Sequence, residues 1–135
     1  MDKISAERRS NNMRRIKSVD TVIELTVRRY IHSMGYRYRL HVRELPGQPD
    51  IVFPRRGQII QVYGCYWHPH PKCPISHLPK SRQDYWIPKL ARNVENDHRS
   101  LSSLQKLGWT VLIVRECEIR SSKPWQKKVQ KFLQT

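Results

Sequence analysis

The sequence predicts a mixed α/β fold built as one domain. Segments with helical periodicity alternate with short segments typical of strands, in the order helix, strands, helix, strand, helix. The chain has 135 residues, a length that suits one domain with a modest core. We expect a basic N-terminal segment over residues 1–18 and one folded domain over residues 19–135.

The first predicted helix begins near Thr21 and ends at Gly35. Thr21 and Glu24 have the spacing of a capping box. Apolar residues then follow at helical period: Ile23, Val27, Tyr30, Ile31 and Met34. Gly35 ends the helix, because glycine readily adopts the left-handed backbone of a C-terminal cap.

Three short strands are predicted to follow. The alternating segment YRYRL, residues 36–40, indicates the first of them. The turn residues of LPGQPD lead into the second, residues 51–53. After the turn RRG, residues 58–64 form the third strand, which we expect to make a hairpin with the second.

A long helix is predicted over residues 81–108, with Gly108 as its end. We expect Pro88 to kink or divide it, because proline lacks an amide hydrogen and clashes with the preceding turn. Its apolar stripe is predicted to comprise Val94, Leu101, Leu104 and Leu107.

A buried strand and a short helix complete the predicted fold. The apolar run WTVLIV, residues 109–114, is typical of a strand covered on both faces. Pro124 is suited to open the last helix. The buried side of that helix is predicted to comprise Trp125, Val129, Phe132 and Leu133.

Positive charge dominates the composition. The chain has 26 Lys and Arg against 11 Asp and Glu, a formal net charge of +15. Both ends are basic, through Arg8, Arg9, Arg14, Arg15, Lys17, Lys123, Lys127, Lys128 and Lys131. This pattern favours nucleic acid as a partner over a merely solvated surface.

We expect no membrane partner and a cytoplasmic location. No apolar run approaches the roughly 18 residues that a membrane span requires. The N-terminus also lacks the apolar core of a signal peptide. The three cysteines are an odd number, which excludes a full disulfide framework and fits a reducing compartment.

The stretch QVYGCYWHPHPKC, residues 61–73, combines cysteine, histidine and aromatic residues. Cys65, Cys73 and Cys117, with one imidazole, would form a closed tetrahedral zinc site of the structural type. Reduced core cysteines are the alternative. The residue pattern does not decide whether His68 or His70 would be the ligand.

Two carboxylates are candidates for chemistry. Asp50 follows a proline where a turn meets a strand, a position suited to a hard cation and also to capping of its own backbone. Asp97 points along the apolar stripe of its helix and needs a partner. A histidine partner would become an oriented general base, whereas an arginine partner would make a structural salt bridge.

Tyr66, Trp67 and Trp86 form the aromatic group. Tyr66 and Trp67 directly follow Cys65, so a metal site would hold them rigidly. On a basic protein, rigid aromatic side chains suit stacking on bases or wedging between them. Filling the core is the alternative for all three.

Five segments resemble the very-short-patch-repair (Vsr) endonucleases, bacterial enzymes that nick DNA beside a T:G mismatch. In order, these segments are RSNNMRRI, LPGQPDIVF, GCYWHPHPKC, RNVENDHRSLSSLQKLGW and VLIVREC. The resemblance covers about residues 8–120. It implies a restriction-endonuclease-like core, in which helices flank a mixed β-sheet, with a structural zinc site.

The resemblance also implies an activity and its partners. The implied activity is Mg²⁺-dependent nicking of one strand of double-stranded DNA, which leaves a 5′-phosphate and a 3′-hydroxyl. Its implied role is repair of deaminated 5-methylcytosine. It further implies a monomer in the bacterial cytoplasm, associated with the nucleoid, and mismatch-repair proteins as partners. Residues 1–18 would be a DNA-contacting segment and residues 19–135 the endonuclease domain.

The same resemblance implies roles for individual residues. Asp50 and the carbonyl of Val62 would bind Mg²⁺, His68 would be the general base, Asp97 would orient it, and Glu24 would support metal-bound water. The zinc ligands would be Cys65, His70, Cys73 and Cys117. The DNA-contacting residues would be Tyr66, Trp67 and Trp86 from the major groove, Met13 from the minor groove, and Arg14 and Asn93.

Three features depart from the family pattern. Tyr66 replaces the usual phenylalanine, and Tyr63 stands where relatives carry His or Asp. The prolines around His70 and an extra residue before Cys73 alter the zinc loop. Two alternatives stay open: a restriction-type or nicking endonuclease of the same fold without a mismatch requirement, and a non-catalytic, zinc-stabilised DNA-binding module.

Overall fold

The computed structural model describes residues 21–71, 73, 82–121 and 124–135. Its helices are α1 (residues 21–33), α2 (Gln83–Lys106), α3 (Glu116–Arg120) and α4 (Trp125–Leu133). Its strands are β1 (Arg39–Leu40), β2 (Ile51–Phe53), β3 (Gln58–Tyr63) and β4 (Thr110–Arg115), with a short 3-10 helix (Pro54–Arg56) after β2. The mixed α/β class is therefore confirmed. The predicted segment 1–18, with Met13 and Arg14, lies outside the described residues.

The four strands form one mixed sheet in the order β1-β2-β3-β4. β2 pairs antiparallel with β1 and with β3, so the predicted hairpin is present, and β4 pairs parallel with β3. As a result, the start of β2 and the ends of β3 and β4 meet at one edge of the sheet.

Helices cover both faces of this sheet. Residues of α1 and α4 pack on one face, in a cluster that includes Val27, Ile31, Ile51, Phe53, Ile60, Val114, Trp125, Val129 and Leu133. On the other face, Leu104 of α2 packs against Val52 and Ile59. Full burial of each such aliphatic side chain contributes about 1.5–3 kcal/mol. These two layers of side chains hold the sheet edge in place.

β1 is shorter than the predicted strand. Only Arg39–Leu40 pairs with β2. Beyond Phe53 the chain turns at Pro54, which has no amide hydrogen to offer a neighbouring strand. Tyr36 and Tyr38 lie outside the paired residues and pack their rings edge-on against Phe53, with centroids 6.4 and 6.1 Å away.

α2 is continuous, so the expectation that Pro88 divides it is wrong. Pro88 lies near the N-terminus of the helix, where a missing amide hydrogen removes one helical hydrogen bond. The predicted apolar stripe also needs correction. Leu104 is buried, but Leu107 is 64% exposed because the helix ends there, and Trp86 and Leu90 are buried instead.

α4 agrees with its prediction. Pro124 directly precedes the helix, and Trp125, Val129 and Leu133 are buried, while Phe132 is partly buried. Among the helices in the described ranges, none combines the length and apolar character needed to cross a bilayer.

Candidate functional site

A cleft of about 520 Å³ lies at the sheet edge where β2 begins and β3 ends. Glu24 of α1, Asp50, Val62, His68 and Asp97 of α2 all line it. The chain thus brings all the predicted catalytic and Mg²⁺-binding residues to one place, although 73 positions separate Glu24 from Asp97.

The Asp50 carboxylate is fixed across the sheet. Its Oδ2 accepts a hydrogen bond of 2.9 Å from the amide of Val62, and its own amide donates to Oε1 of Gln61 at 3.0 Å. Burial, assisted by the neighbouring charge of Glu24, raises the pKa of Asp50 to about 6, against the lowering effect of the Val62 amide. A carboxylate in this position gains from a nearby cation.

His41 lies between Glu24 and Asp50. Its Nε2 is 3.3 Å from Oε2 of Glu24, and its Nδ1 is 3.8 Å from Oδ1 of Asp50. One donor atom from each of these three residues lies within 4.8 Å of the other two. Arg28 also contacts Glu24, at 3.4 Å.

The local sequence pattern around His41 does not predict a place in this cleft. The signal for it was the pairing of β1 with β2, which places residue 41 opposite residue 50. The amide of His41 accordingly donates to the carbonyl of Asp50 at 3.0 Å.

His68 and Asp97 form a short hydrogen-bonded pair. Nδ1 of His68 lies 2.6 Å from Oδ2 of Asp97, and both side chains are about one-quarter exposed. Of the two partners considered for Asp97, the histidine is therefore the one present. Within the part of the chain that the structure describes, Nε2 of His68 makes no hydrogen bond. It can accept a proton from the cleft.

Tyr63 and Arg115 support the His68 ring. The rings of Tyr63 and His68 are stacked, with centroids 4.0 Å apart and planes inclined by 10°. The guanidinium of Arg115 lies over the Tyr63 ring, 5.8 Å from its centroid. It also donates a hydrogen bond of 3.3 Å to the backbone carbonyl of His68. Tyr63 thus restricts the imidazole from one side, while Asp97 holds its Nδ1.

The donor set of the Cys/His cluster fits a zinc ion. Donor atoms of Cys65, His70, Cys73 and Cys117 all lie within 4.8 Å of one another. Nε2 of His70 is 3.4 Å from Sγ of Cys65 and 3.6 Å from Sγ of Cys117. Tetrahedral zinc bonds to sulfur and nitrogen place adjacent ligand atoms about 3.6 Å apart. His70 is therefore the histidine of this cluster, which leaves His68 for the cleft.

The parallel pairing of β3 and β4 explains how distant cysteines meet. Tyr63 lies opposite Arg115 in this register, and Cys65 and Cys117 each come two residues later. Burial raises the pKa of the Cys65 thiol to about 12 and also raises that of Cys117. A bound metal would offset this cost, because it binds cysteine as the thiolate.

Glu116, at the start of the unpredicted helix α3, anchors this cluster. It is 5% exposed, and its Oε1 accepts a hydrogen bond of 3.1 Å from the Cys65 amide. Its Oε2 is 2.8 Å from Nε of Arg120. Glu116 thus ties the turn after β3 to the end of β4.

Replacement of Glu116 with alanine is expected to lower the free energy of unfolding by about 1–3 kcal/mol, because the Cys65 amide loses its buried partner. Urea unfolding would measure the change. Glu95→Ala is the matched control, since Glu95 pairs with Arg99 while both remain more than two-thirds exposed. That change should stay within about 0.5 kcal/mol, and equal effects of the two variants would contradict the anchoring role.

An aromatic cluster includes Tyr66 and Trp67, the two residues that directly precede His68 in the chain. The rings of Tyr66, Trp67 and Trp86 have centroids 5.1–6.0 Å apart. Tyr66 and Trp67 are partly exposed, whereas Trp86 is 8% exposed and belongs to the core side of the cluster. The side-chain amide of Asn93 donates to the Trp67 carbonyl at 3.2 Å.

Lys89, which was not among the predicted site residues, joins the predicted aromatic cluster. Its Nζ lies 5.5 Å from the ring centroids of Trp67, Tyr85 and Trp86. The signal was the helical spacing, since residues 85, 86 and 89 share one face of α2. A cation beside partly exposed aromatic rings suits contact with phosphates.

The chain is similar to known proteins over most of its length. Residues 1–73 match the family described as DNA mismatch endonuclease Vsr. The chain is 48% identical over 118 residues to the type II nicking enzyme V.XorIIP of Xanthomonas oryzae pv. oryzae, which covers 87% of this chain and 86% of that protein. It is 42% identical over 112 residues to the DNA mismatch endonuclease Vsr of Escherichia coli, a match that covers 83% of this chain and 71% of that protein. It is 32% identical over 132 residues to the type II nicking enzyme V.NmeAIP of Neisseria meningitidis, a match that covers 98% of this chain and 94% of that protein.

Proposed function

Because the chain belongs to the Vsr family of DNA mismatch endonucleases, we propose that it nicks one strand of double-stranded DNA beside a T:G mismatch. The observation that carries this proposal is the cleft in which Asp50 lies with the paired His68 and Asp97. A cation-binding carboxylate beside an oriented imidazole suits hydrolysis of a phosphodiester. The surrounding fold we assign to the restriction-endonuclease-like class.

Each residue of the cleft takes a separate part in this proposed reaction. Asp50 and the carbonyl of Val62 would hold Mg²⁺, which supplies positive charge to the scissile phosphate when bound. His68 accepts the proton of the attacking water at Nε2, while Asp97 retains the proton at Nδ1 and stabilises the charged ring. Glu24 orients the water. As the bond from water to phosphorus forms, the bond from phosphorus to the 3′ oxygen breaks, and that oxygen takes a proton from solvent, which leaves a 5′-phosphate and a 3′-hydroxyl.

The structural metal is proposed to be Zn²⁺, bound by Cys65, His70, Cys73 and Cys117. Three thiolates and one imidazole fill a tetrahedral site and leave no open position for substrate, which is typical of a structural role. This site would fix the turn that carries His68.

DNA recognition is proposed to depend on deformation at the mismatch. Tyr66 and Trp67 would enter the base stack from the major groove, with Trp86 behind them and Asn93 beside Trp67. Met13 would enter from the minor groove, and Arg14 would contact the backbone. A T:G pair is held less firmly than a matched pair, so wedging beside it costs less.

Trp67→Ala is expected to weaken binding to a T:G duplex by roughly ten- to a hundredfold, since stacking of one base is worth about 1–3 kcal/mol. Trp67→Phe keeps a ring and should lose much less. Fluorescence anisotropy on matched and mismatched duplexes would measure both variants, after their unfolding midpoints are checked. An alanine variant that binds the mismatch as tightly as the parent would contradict the wedging role.

Nicking without a mismatch requirement is the second candidate function. It is favoured by the names of the relatives V.XorIIP and V.NmeAIP, which are called type II nicking enzymes. A non-catalytic, zinc-stabilised DNA-binding module would keep the charge and the aromatic cluster but not need the His68–Asp97 pair.

A nicking assay on end-labelled duplexes tests all three functions. The duplexes carry a central T:G or T:A pair in randomised flanking sequence, with Mg²⁺ or with EDTA. Asp50→Asn is the inactivating variant, and Glu44→Gln, which changes an exposed carboxylate, is its matched control.

We expect Mg²⁺-dependent nicking of the T:G duplexes alone, lost with Asp50→Asn and kept with Glu44→Gln. Nicking of T:A duplexes as well would favour the mismatch-independent enzyme. Binding without cleavage in every flanking sequence would favour the DNA-binding module.

A further inference from the structure

We infer that His41 is a side-chain ligand of the divalent cation in this cleft, through Nδ1, and that it favours Mn²⁺ over Mg²⁺. The inference rests on the proposed cation site at Asp50, and it adds a nitrogen ligand that the proposed function does not use. Glu24 then acts on His41 as well as on water.

The first support is the distance between Nδ1 of His41 and the carboxylate of Asp50. Nδ1 of His41 is 3.8 Å from Oδ1 of Asp50, which is too long for a hydrogen bond. Two adjacent ligands of an octahedral cation lie about 3 Å apart, so a shift below 1 Å, roughly, would let Nδ1 and Oδ1 bind one ion. Oδ2 of Asp50 already accepts from the Val62 amide, so Oδ1 is the oxygen that faces the cleft.

The other ring nitrogen has the partner that a metal-bound histidine needs. Nε2 of His41 is 3.3 Å from Oε2 of Glu24. Metal-binding histidines almost always donate their second N–H to a carboxylate or carbonyl, which fixes the tautomer and orients the ring. A proton on Nε2, the nitrogen beside the Glu24 carboxylate, would leave the lone pair of Nδ1 available to a cation bound by Asp50.

An independent observation comes from the backbone of His41. Its φ is +48°, in the left-handed region that few residues other than glycine adopt. The hydrogen bond from the His41 amide to the Asp50 carbonyl, at 3.0 Å, holds this conformation at the end of β1. Strained backbone conformations of this kind cluster at functional sites, and His41 shares its positive φ with Gln48 and Arg82 among the described non-glycine residues. Here the conformation directs the ring between two carboxylates.

The chemistry of the ligands predicts the metal preference. Mg²⁺ favours oxygen ligands and retains several waters, whereas first-row transition ions accept imidazole nitrogen readily. Mn²⁺ accepts both carboxylate oxygen and imidazole nitrogen. A site with one carboxylate, one backbone carbonyl and one imidazole should therefore bind Mn²⁺ more tightly than Mg²⁺.

Electron paramagnetic resonance with Mn²⁺ alone, on zinc-loaded protein without DNA, tests this inference. The signal of free Mn²⁺ gives the affinity, competition gives the affinity for Mg²⁺, and electron spin echo modulation detects ¹⁴N bound to Mn²⁺. The variants are His41→Gln, the matched control His32→Gln, which changes an exposed histidine of α1, and Asp50→Asn, which reports Mn²⁺ bound elsewhere.

We expect His41→Gln to weaken Mn²⁺ binding about tenfold or more and to abolish the nitrogen modulation, with Mg²⁺ affinity changed about twofold or less. His32→Gln should match the parent. No nitrogen modulation in the parent, or equal losses for both ions in His41→Gln, would overturn the inference. Nicking with an intact mismatch preference would then leave the proposed function standing, whereas nitrogen-bound Mn²⁺ without nicking would refute the function alone.

Discussion

His68→Ala is expected to slow strand nicking by about a hundred- to ten-thousandfold, the usual contribution of a positioned general base. The variant loses the only imidazole that Asp97 holds in the described cleft, at 2.6 Å. Single-turnover rates on preformed complexes with a T:G duplex would measure the loss without any contribution from binding. DNA affinity should change little, because the His68 side chain is only about one-quarter exposed and offers little surface for contact with DNA.

The role of Asp97 can be separated from that of His68 by a double-mutant cycle. Asp97→Ala should also slow nicking, but by a smaller factor, since His68 remains present in a less ordered orientation. The double variant should be no slower than His68→Ala, because residues that act as a unit are not additive. Additive losses would show that Asp97 acts through another group. His32→Ala serves as the control histidine variant.

Loss of the proposed structural zinc is the second large effect. His70→Ala removes one ligand, and we expect it to lose bound zinc and to lower the unfolding midpoint by at least about 10 °C, which corresponds to roughly 3 kcal/mol or more. The reason is that the proposed zinc would join the turn after β3, through Cys65, to helix α3, through Cys117. Zinc content by mass spectrometry and thermal unfolding by circular dichroism would measure both quantities.

His32→Ala is the matched control for the zinc prediction as well, since it removes an exposed imidazole of α1. It should keep both the zinc content and the unfolding midpoint of the parent. A His70→Ala variant that lacks zinc and still unfolds at the parental temperature would show that the metal does not stabilise the fold.

Local patterns in the sequence predict the elements and one face of each helix. The 3.6-residue period places Asp97 on the inner side of α2, and turn chemistry places Asp50 at the start of β2. What local patterns leave open is the choice of partner. Asp97 could pair with a histidine or an arginine, because both choices satisfy a half-buried carboxylate, and only the position of the turn after β3 decides between them.

Features that depend on long-range packing were missed or misjudged. His41 enters the cleft because β1 pairs with β2, and a two-residue strand leaves little local signal. Leu107 has the right spacing for the apolar stripe, but α2 ends at Lys106, so Leu107 lies just beyond the helix and is exposed. The family resemblance supplied roles for Asp50, His68 and His70, yet it could not supply the contact between Tyr63 and His68, because this chain departs from the family there.

The position of the segment between Cys65 and His70 limits which insertions and deletions the protein can tolerate. Residues 66–69 connect Cys65 and His70, two members of the Cys/His cluster, and the same segment places His68 beside Asp97. A substitution in this segment can alter one contact and leave the other. An insertion or deletion changes both the Cys/His cluster and the His68–Asp97 contact, because a short segment with both ends fixed cannot change length without moving the residues at its ends. We therefore expect the length of this segment to vary less among descendants of this protein than the residue at position 69, which has no proposed part in metal binding, catalysis or DNA contact.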